Sequence, residues 1–145
     1  MNIWAGPYCN IANELSILQM IESGCSGIIL SPELSGQDYL ALSKQTKIPL
    51  GIVISGNWPF CISRTVSEDL SKKLPFYSPK NEGAWISKFD SNYWVFPNWQ
   101  LDLTEKRDEL KKNGFSLFVH LEEQVPNNMK MKKRPGLWNW EHGLK

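Results

Sequence analysis

Four short stretches of the chain place polar, charged or aromatic side chains directly after apolar runs. They are Gly6-Pro7-Tyr8-Cys9-Asn10, Ser31-Pro32-Glu33-Leu34, Gly56-Asn57-Trp58-Pro59 and His120-Leu121-Glu122-Glu123. In parallel β/α architectures, ligands meet residues just beyond the carboxyl ends of strands, so these stretches are where chemistry is expected. Glu33 follows an apolar run and a rigid proline. At a barrel mouth, partial desolvation would suit its carboxyl to acid–base catalysis; as a helix-start carboxylate it would instead answer the helix dipole. His120 closes a strand two residues before Glu122, a spacing that sends both side chains to one side. Such a couple can tune a general base, and it also describes a structural histidine hydrogen-bonded at a strand end. Asn10 and Asn13 stand one helical turn apart at a helix start, where amides either bind a ligand or cap the helix. Asn57, beside Gly56, is a further ligand-binding candidate.

Other chemistries find less support. Ser31 lies in no GxSxG elbow, and Cys61 has no base nearby in sequence, so no Ser-His-Asp or Cys-His pairing is evident. Cys9, Cys25 and Cys61 are an odd set with wide gaps, unlike a disulfide framework or a zinc or iron–sulfur site; they read as buried, reduced thiols. His120 and His142 form no metal-binding spacing, and no metal is expected. The seven tryptophans could stack on bases or sugars, though packing is their commoner use. Lys130-Met131-Lys132-Lys133-Arg134 could hold phosphate or form a solvated surface.

The elements that must position these residues alternate. Ile3–Gly6 reads as a strand ending in a Gly-Pro turn, and Ile11, Leu15, Leu18 and Ile21 recur at helical spacing before a Ser23-Gly24 stop. Gly27–Leu30 is a β-branched burst. Ser35 and Asp38 form a capping box opening a helix to about Lys44, and Ile48–Ile54 is another apolar strand. Strands without polar alternation are expected where parallel strands are covered on both faces, and this order is that of successive βα units. Residues 64–92 depart from it, rich in Ser, Lys, Pro and Glu, and predict a loop excursion in which Ala84–Phe89 and Tyr93–Phe96 pair as a hairpin around Asp90-Ser91-Asn92. Asp102 with Glu105 suggests another capping box before a helix carrying Leu103 and Leu110, stopped at Asn113-Gly114, and Phe115–Leu121 is a strand. The Pro-, Lys- and Trp-rich tail, 125–145, is expected to lie against the body.

At 145 residues the chain fits one domain, 1–145, but is short for a closed eight-fold barrel of about 250 residues. Its apolar share of 41% is that of a globular protein. No apolar run approaches the roughly 20 residues of a membrane helix, and the start has no secretory pattern, so a cytoplasmic location without membrane association is expected. Residues 1–63 carry two lysines against four acids and the remainder fourteen basic residues against eleven acids, too mild an asymmetry to indicate nucleic acid by itself.

Taken together, the strand-end stretches resemble peptidase family U-32, the collagenase-like proteases. Gly6–Asn13 is similar to that family's GPxxNxxN element, Leu30–Ser35 to its SPEL segment, and Gly56–Arg64 to its GRxPLMxSR segment. Phe96–Leu103 and Arg134–Trp140 resemble late segments of one subgroup, so the matches run in order along nearly the whole chain. The resemblance implies the C-terminal half of a β/α barrel, α/β in class, whose first strands lie upstream of Met1. It implies peptide hydrolysis as the nominal activity, or RNA or quinone hydroxylation, with a non-catalytic scaffold as the alternative. Many relatives carry a four-cysteine iron–sulfur cluster, but two of its cysteine positions are Pro59 and Val66 here, so no cofactor is expected from this chain. A half barrel exposes sheet edges, so a protein partner, or a second copy, is expected to complete it.

Overall fold

A computed structural model describes residues 1–68, 75–133 and 139–141. The fold is mixed α/β, with two sheets and three α-helices and no closed barrel among the described residues. These residues divide into two compact units. The first holds Met1–Ser55, Asp102–His120 and 139–141, and the second holds 56–101 and 121–133.

The first unit is built on a five-stranded sheet. Strand β1 (Trp4–Ala5) pairs in parallel with β2 (Gly27–Ile29), and β2 in parallel with β3 (Leu50–Gly56). Two more strands, β8 (Leu101–Asp102) and β9 (Phe115–Leu121), both pair with β3. Contacts advance together along β3 and β9, from Ser116 Oγ on the Leu50 carbonyl to Ser55 on His120, so β9 is parallel to β3 as well. The strands of this sheet supply Ile28, Ile52 and Ile54, and Leu30 follows directly after β2; all four are fully buried. Each such side chain contributes about 1.5–3 kcal/mol on leaving water.

Local signals explain the helix ends. Helix α1 (Glu14–Glu22) opens on Asn13, whose Oδ1 accepts from the Ser16 N–H at 2.9 Å, while Ser16 Oγ accepts from the Asn13 N–H. It closes at Gly24, at φ +89, with Cys25 N–H reaching the Met20 carbonyl and Gly24 N–H that of Ile21. Helix α2 (Gly36–Gln45) opens on the expected Ser35–Asp38 capping box. Ahead of α3 (Arg107–Lys112) the expected Asp102–Glu105 box does not form. Asp102 Oδ1 instead takes both the N–H and the hydroxyl of Thr104, two residues on, and a 3-10 turn, Thr104–Lys106, leads into the helix.

Helix α1 is where packing departs most from the periodicity. Ile11 and Ile17 are buried, but Leu15, Leu18 and Ile21 are 78%, 47% and 41% exposed. Spacing shows that an apolar stripe exists; it does not say whether anything covers it.

Residues 64–68 and 75–92 belong to a body with its own sheet. Four antiparallel strands, β4 (Cys61–Ser63), β5 (Phe76–Tyr77), β6 (Gly83–Phe89) and β7 (Asn92–Pro97), stand in the order β4-β7-β6-β5. The expected hairpin is β6–β7, with a turn of two residues, Asp90-Ser91, rather than three, because Phe89 pairs with Asn92. Asp90 adopts φ +50, a left-handed conformation that aspartate tolerates. Of the tail, Met129 is buried in the second unit, and Trp140 stacks on Tyr39 of α2 at 6.3 Å. Arg134–Trp138 of the tail, and His142, lie outside the described residues.

Candidate functional site

The carboxyl ends of the parallel strands in the first unit carry a row of polar side chains. In sheet order these are Asn10 after β1, Ser31 after β2, Ser55 on β3 and His120 on β9, at strand steps of about 4.8 Å.

At one end of the row, Asn10 takes φ +50 and ψ +47, which turns the chain from the 3-10 turn Pro7–Cys9 toward α1. Its Oδ1 accepts from Ser31 Oγ at 2.8 Å, and Ser31 N–H donates to the Ile11 carbonyl at 2.9 Å. The buried Ser31 also accepts the Glu33 N–H on its hydroxyl and the Tyr39 hydroxyl on its carbonyl, at 2.7 Å. Asn10 and Ser31 thus tie the ends of two strands together. Glu33 extends from that tie two residues before the Ser35 cap, its side chain exposed and its carbonyl accepting from Asn139 Nδ2 at 3.4 Å. Asn13 is spent on capping α1.

The other end of the row is chemically distinct. Ser55 Oγ lies 2.7 Å from His120 Nδ1, with Ser55 half-buried and His120 exposed. When the hydroxyl donates to the neutral imidazole, the ring is placed to take its proton, which is the pairing that activates a serine nucleophile. Sequence reading found His120 but not Ser55. Sixty-five positions separate them, and only the parallel pairing of β3 with β9 makes them neighbours.

The remaining candidates belong to the second unit. Asn57 is 3% exposed, donates its N–H to the Leu121 carbonyl at 3.0 Å and accepts from Gln100 Nε2 at 3.2 Å. Its Nδ2 is buried with no acceptor among the described residues. Glu122 is exposed. In the basic run, Lys132 Nζ donates to the Asn81 carbonyl at 2.8 Å and Lys132 N–H to that of Asn98, so this lysine braces a turn. Among the described residues no three His, Cys, Asp or Glu side chains gather as metal ligands. The three cysteines are free thiols but not the buried ones expected, since Cys9 and Cys61 are exposed and Cys25 is half-buried.

Tyr39 holds the Ser31 end of the row through its hydroxyl. Burial pushes its phenol far above the ordinary range, and the neighbouring Asp38 carboxylate adds to the effect. A raised native value means that the unfolded chain releases this proton first. Stability is therefore full below about pH 10 and falls above it, by up to about 1.4 kcal/mol per pH unit. Tyr39→Phe is expected to flatten that alkaline slope while costing about 1–2 kcal/mol at neutral pH for the lost bond to Ser31. Urea melts at a series of pH values check both effects.

No protein-family model matches the chain, and searches of curated proteins and of solved structures found no matching protein.

Proposed function

We propose that the chain is half of a U-32-like, collagenase-like β/α barrel, contributing Ser55, His120 and the Asn10–Ser31 tie to a composite pocket that cleaves peptide bonds. Strands from another polypeptide, or from a second copy, complete the barrel. The apolar surface left open around its first strand carries the proposal. β1 ends the sheet, with no further strand beyond it among the described residues, and Ile3 beside it is 51% exposed. The helix that follows turns Leu15, Leu18 and Ile21 to solvent. An edge strand next to a βα crossover helix with an uncovered stripe is what a barrel cut between units would show. No described helix is long and apolar enough to cross a membrane, and three free thiols suit a reducing compartment such as the cytoplasm.

A non-catalytic scaffold is the second reading, favoured by the structural use already made of Asn10 and Asn13. Both readings need the open surface to be occupied. The chain is expected to self-associate, or to bind the chain that supplies the missing strands, and Leu18→Asp should abolish that association while leaving the circular dichroism spectrum unchanged. Sedimentation velocity across a concentration series checks it. A wild-type chain that stays monomeric and binds no barrel-completing chain would remove the half-barrel reading.

A further inference from the structure

The second unit holds a cavity of about 410 Å³ between β6 and residues 123–127. That is at the lower end of the roughly 300–1,000 Å³ of small-molecule sites. The register of the β6–β7 hairpin decides which side chains face it. Trp85 pairs with Phe96, Ser87 with Trp94 and Phe89 with Asn92, so these share one face. Ile86 with Val95, and Lys88 with Tyr93, share the other. Residues 123–131 cover the first face. Ser87 Oγ donates to Glu123 Oε1 at 3.1 Å, and Val125 and Met129 pack with Trp85 and Phe96.

This alternation sets the charge of the cavity. Lys88 borders it, but its Nζ lies over the Tyr93 ring at 5.4 Å, on the opposite face. The charged group left to the cavity among the described residues is the half-buried Glu123 carboxylate, whose Oε2 has no partner among them. Gln124 and Asn127 add neutral amide acceptors. Phe89, 43% exposed and edge-on to Trp94 at 5.4 Å, forms an aromatic wall. Trp85 also lines the cavity, and its buried indole N–H has no acceptor among the described residues.

We propose that this cavity binds an arginine side chain of a peptide. A guanidinium is planar, stacks on an aromatic face and donates in a fork to a carboxylate, and it is more weakly hydrated than an ammonium. Glu123, fixed by Ser87, supplies the carboxylate, Phe89 the face, and the amides of Gln124 and Asn127 the flanking acceptors.

The test uses the full chain, labelled with nitrogen-15 and titrated with N-acetyl-arginine methylamide. N-acetyl-citrulline methylamide serves as the uncharged analogue of the same shape. The expected result is saturable shifts at Ser87, Phe89 and residues 123–127, with citrulline weaker by about tenfold or more, as loss of a charge-assisted bond implies. Glu123→Gln keeps an oxygen for the Ser87 hydroxyl, and its own amide spectrum reports whether the fold is retained. It should weaken the arginine probe by about the same factor. Absence of saturable shifts, equal binding of citrulline, or unchanged affinity in a folded Glu123→Gln chain would each overturn the assignment.

Discussion

Gly56→Ala should cost about 3–5 kcal/mol of stability, among the largest losses a single substitution produces. Two separate effects add there. Gly56 sits at φ +118, a conformation that side-chain-bearing residues rarely adopt and that costs about 1–3 kcal/mol when forced. A Cβ on it would also collide with the Leu121 carbonyl oxygen and lie 2.7 and 2.8 Å from the carbonyl carbon and amide nitrogen of that residue. The Leu121 carbonyl cannot simply move aside, because it accepts the Asn57 N–H at 3.0 Å. Two other glycines separate the contributions. Gly24 has φ +89 with nothing within 4 Å of a Cβ, so Gly24→Ala carries the backbone strain alone. Gly6 has φ −76 and equally open surroundings, so Gly6→Ala should be neutral or slightly stabilising. Urea denaturation of the three variants should rank Gly6, Gly24, Gly56 in increasing loss. A Gly56→Ala chain within about 1 kcal/mol of wild type, the typical cost of a substitution, would show that the close approach to Leu121 does not exist in solution.

Elements with strong local causes were the ones legible in the sequence. The runs read as strands became β2, β3 and β9, Ser35 with Asp38 became a capping box, and the stops at Ser23-Gly24 and Asn113-Gly114 hold, with Gly24 at φ +89 and Gly114 at φ +93. What escaped notice depends on partners distant in the chain or on choices that local sequence leaves degenerate. Asn13 as ligand and Asn13 as cap need the same side chain at the same place, and only the bond from Ser16 decides. Asp102 was free to cap a residue two or three positions on, and Thr104 offered both a hydroxyl and an amide at the nearer one. The short strands β4 and β5 lie in a polar, proline-containing stretch with no alternation to mark them, and pairing with β7 and β6 is what makes them strands. Ser55 shows the same limit for chemistry, since a hydroxyl at a strand end gains a role only from what the neighbouring strand brings beside it.

That neighbour sets the remaining prediction. If His120 takes the Ser55 proton, Ser55 should be the residue modified by a fluorophosphonate probe. Its Oγ attacks phosphorus, the proton passes to Nδ1 of His120, and fluoride leaves. Ser55→Ala should abolish labelling at this position. His120→Gln, which keeps a polar side chain without a base, should slow labelling by about 10²–10⁴-fold, the usual contribution of a positioned general base. Glu33→Gln provides the contrast. Its carboxylate is exposed and the residue's described bonds are both made by its backbone, so labelling should be unchanged. Peptide mapping by mass spectrometry locates the adduct, and the time course gives the rates. Labelling at another serine, or at Ser55 with no dependence on His120, would reduce the 2.7 Å contact to a structural hydrogen bond and leave the scaffold reading in possession of the site. The result does not depend on any second chain, because β3 and β9 pair within this one and bring both side chains together.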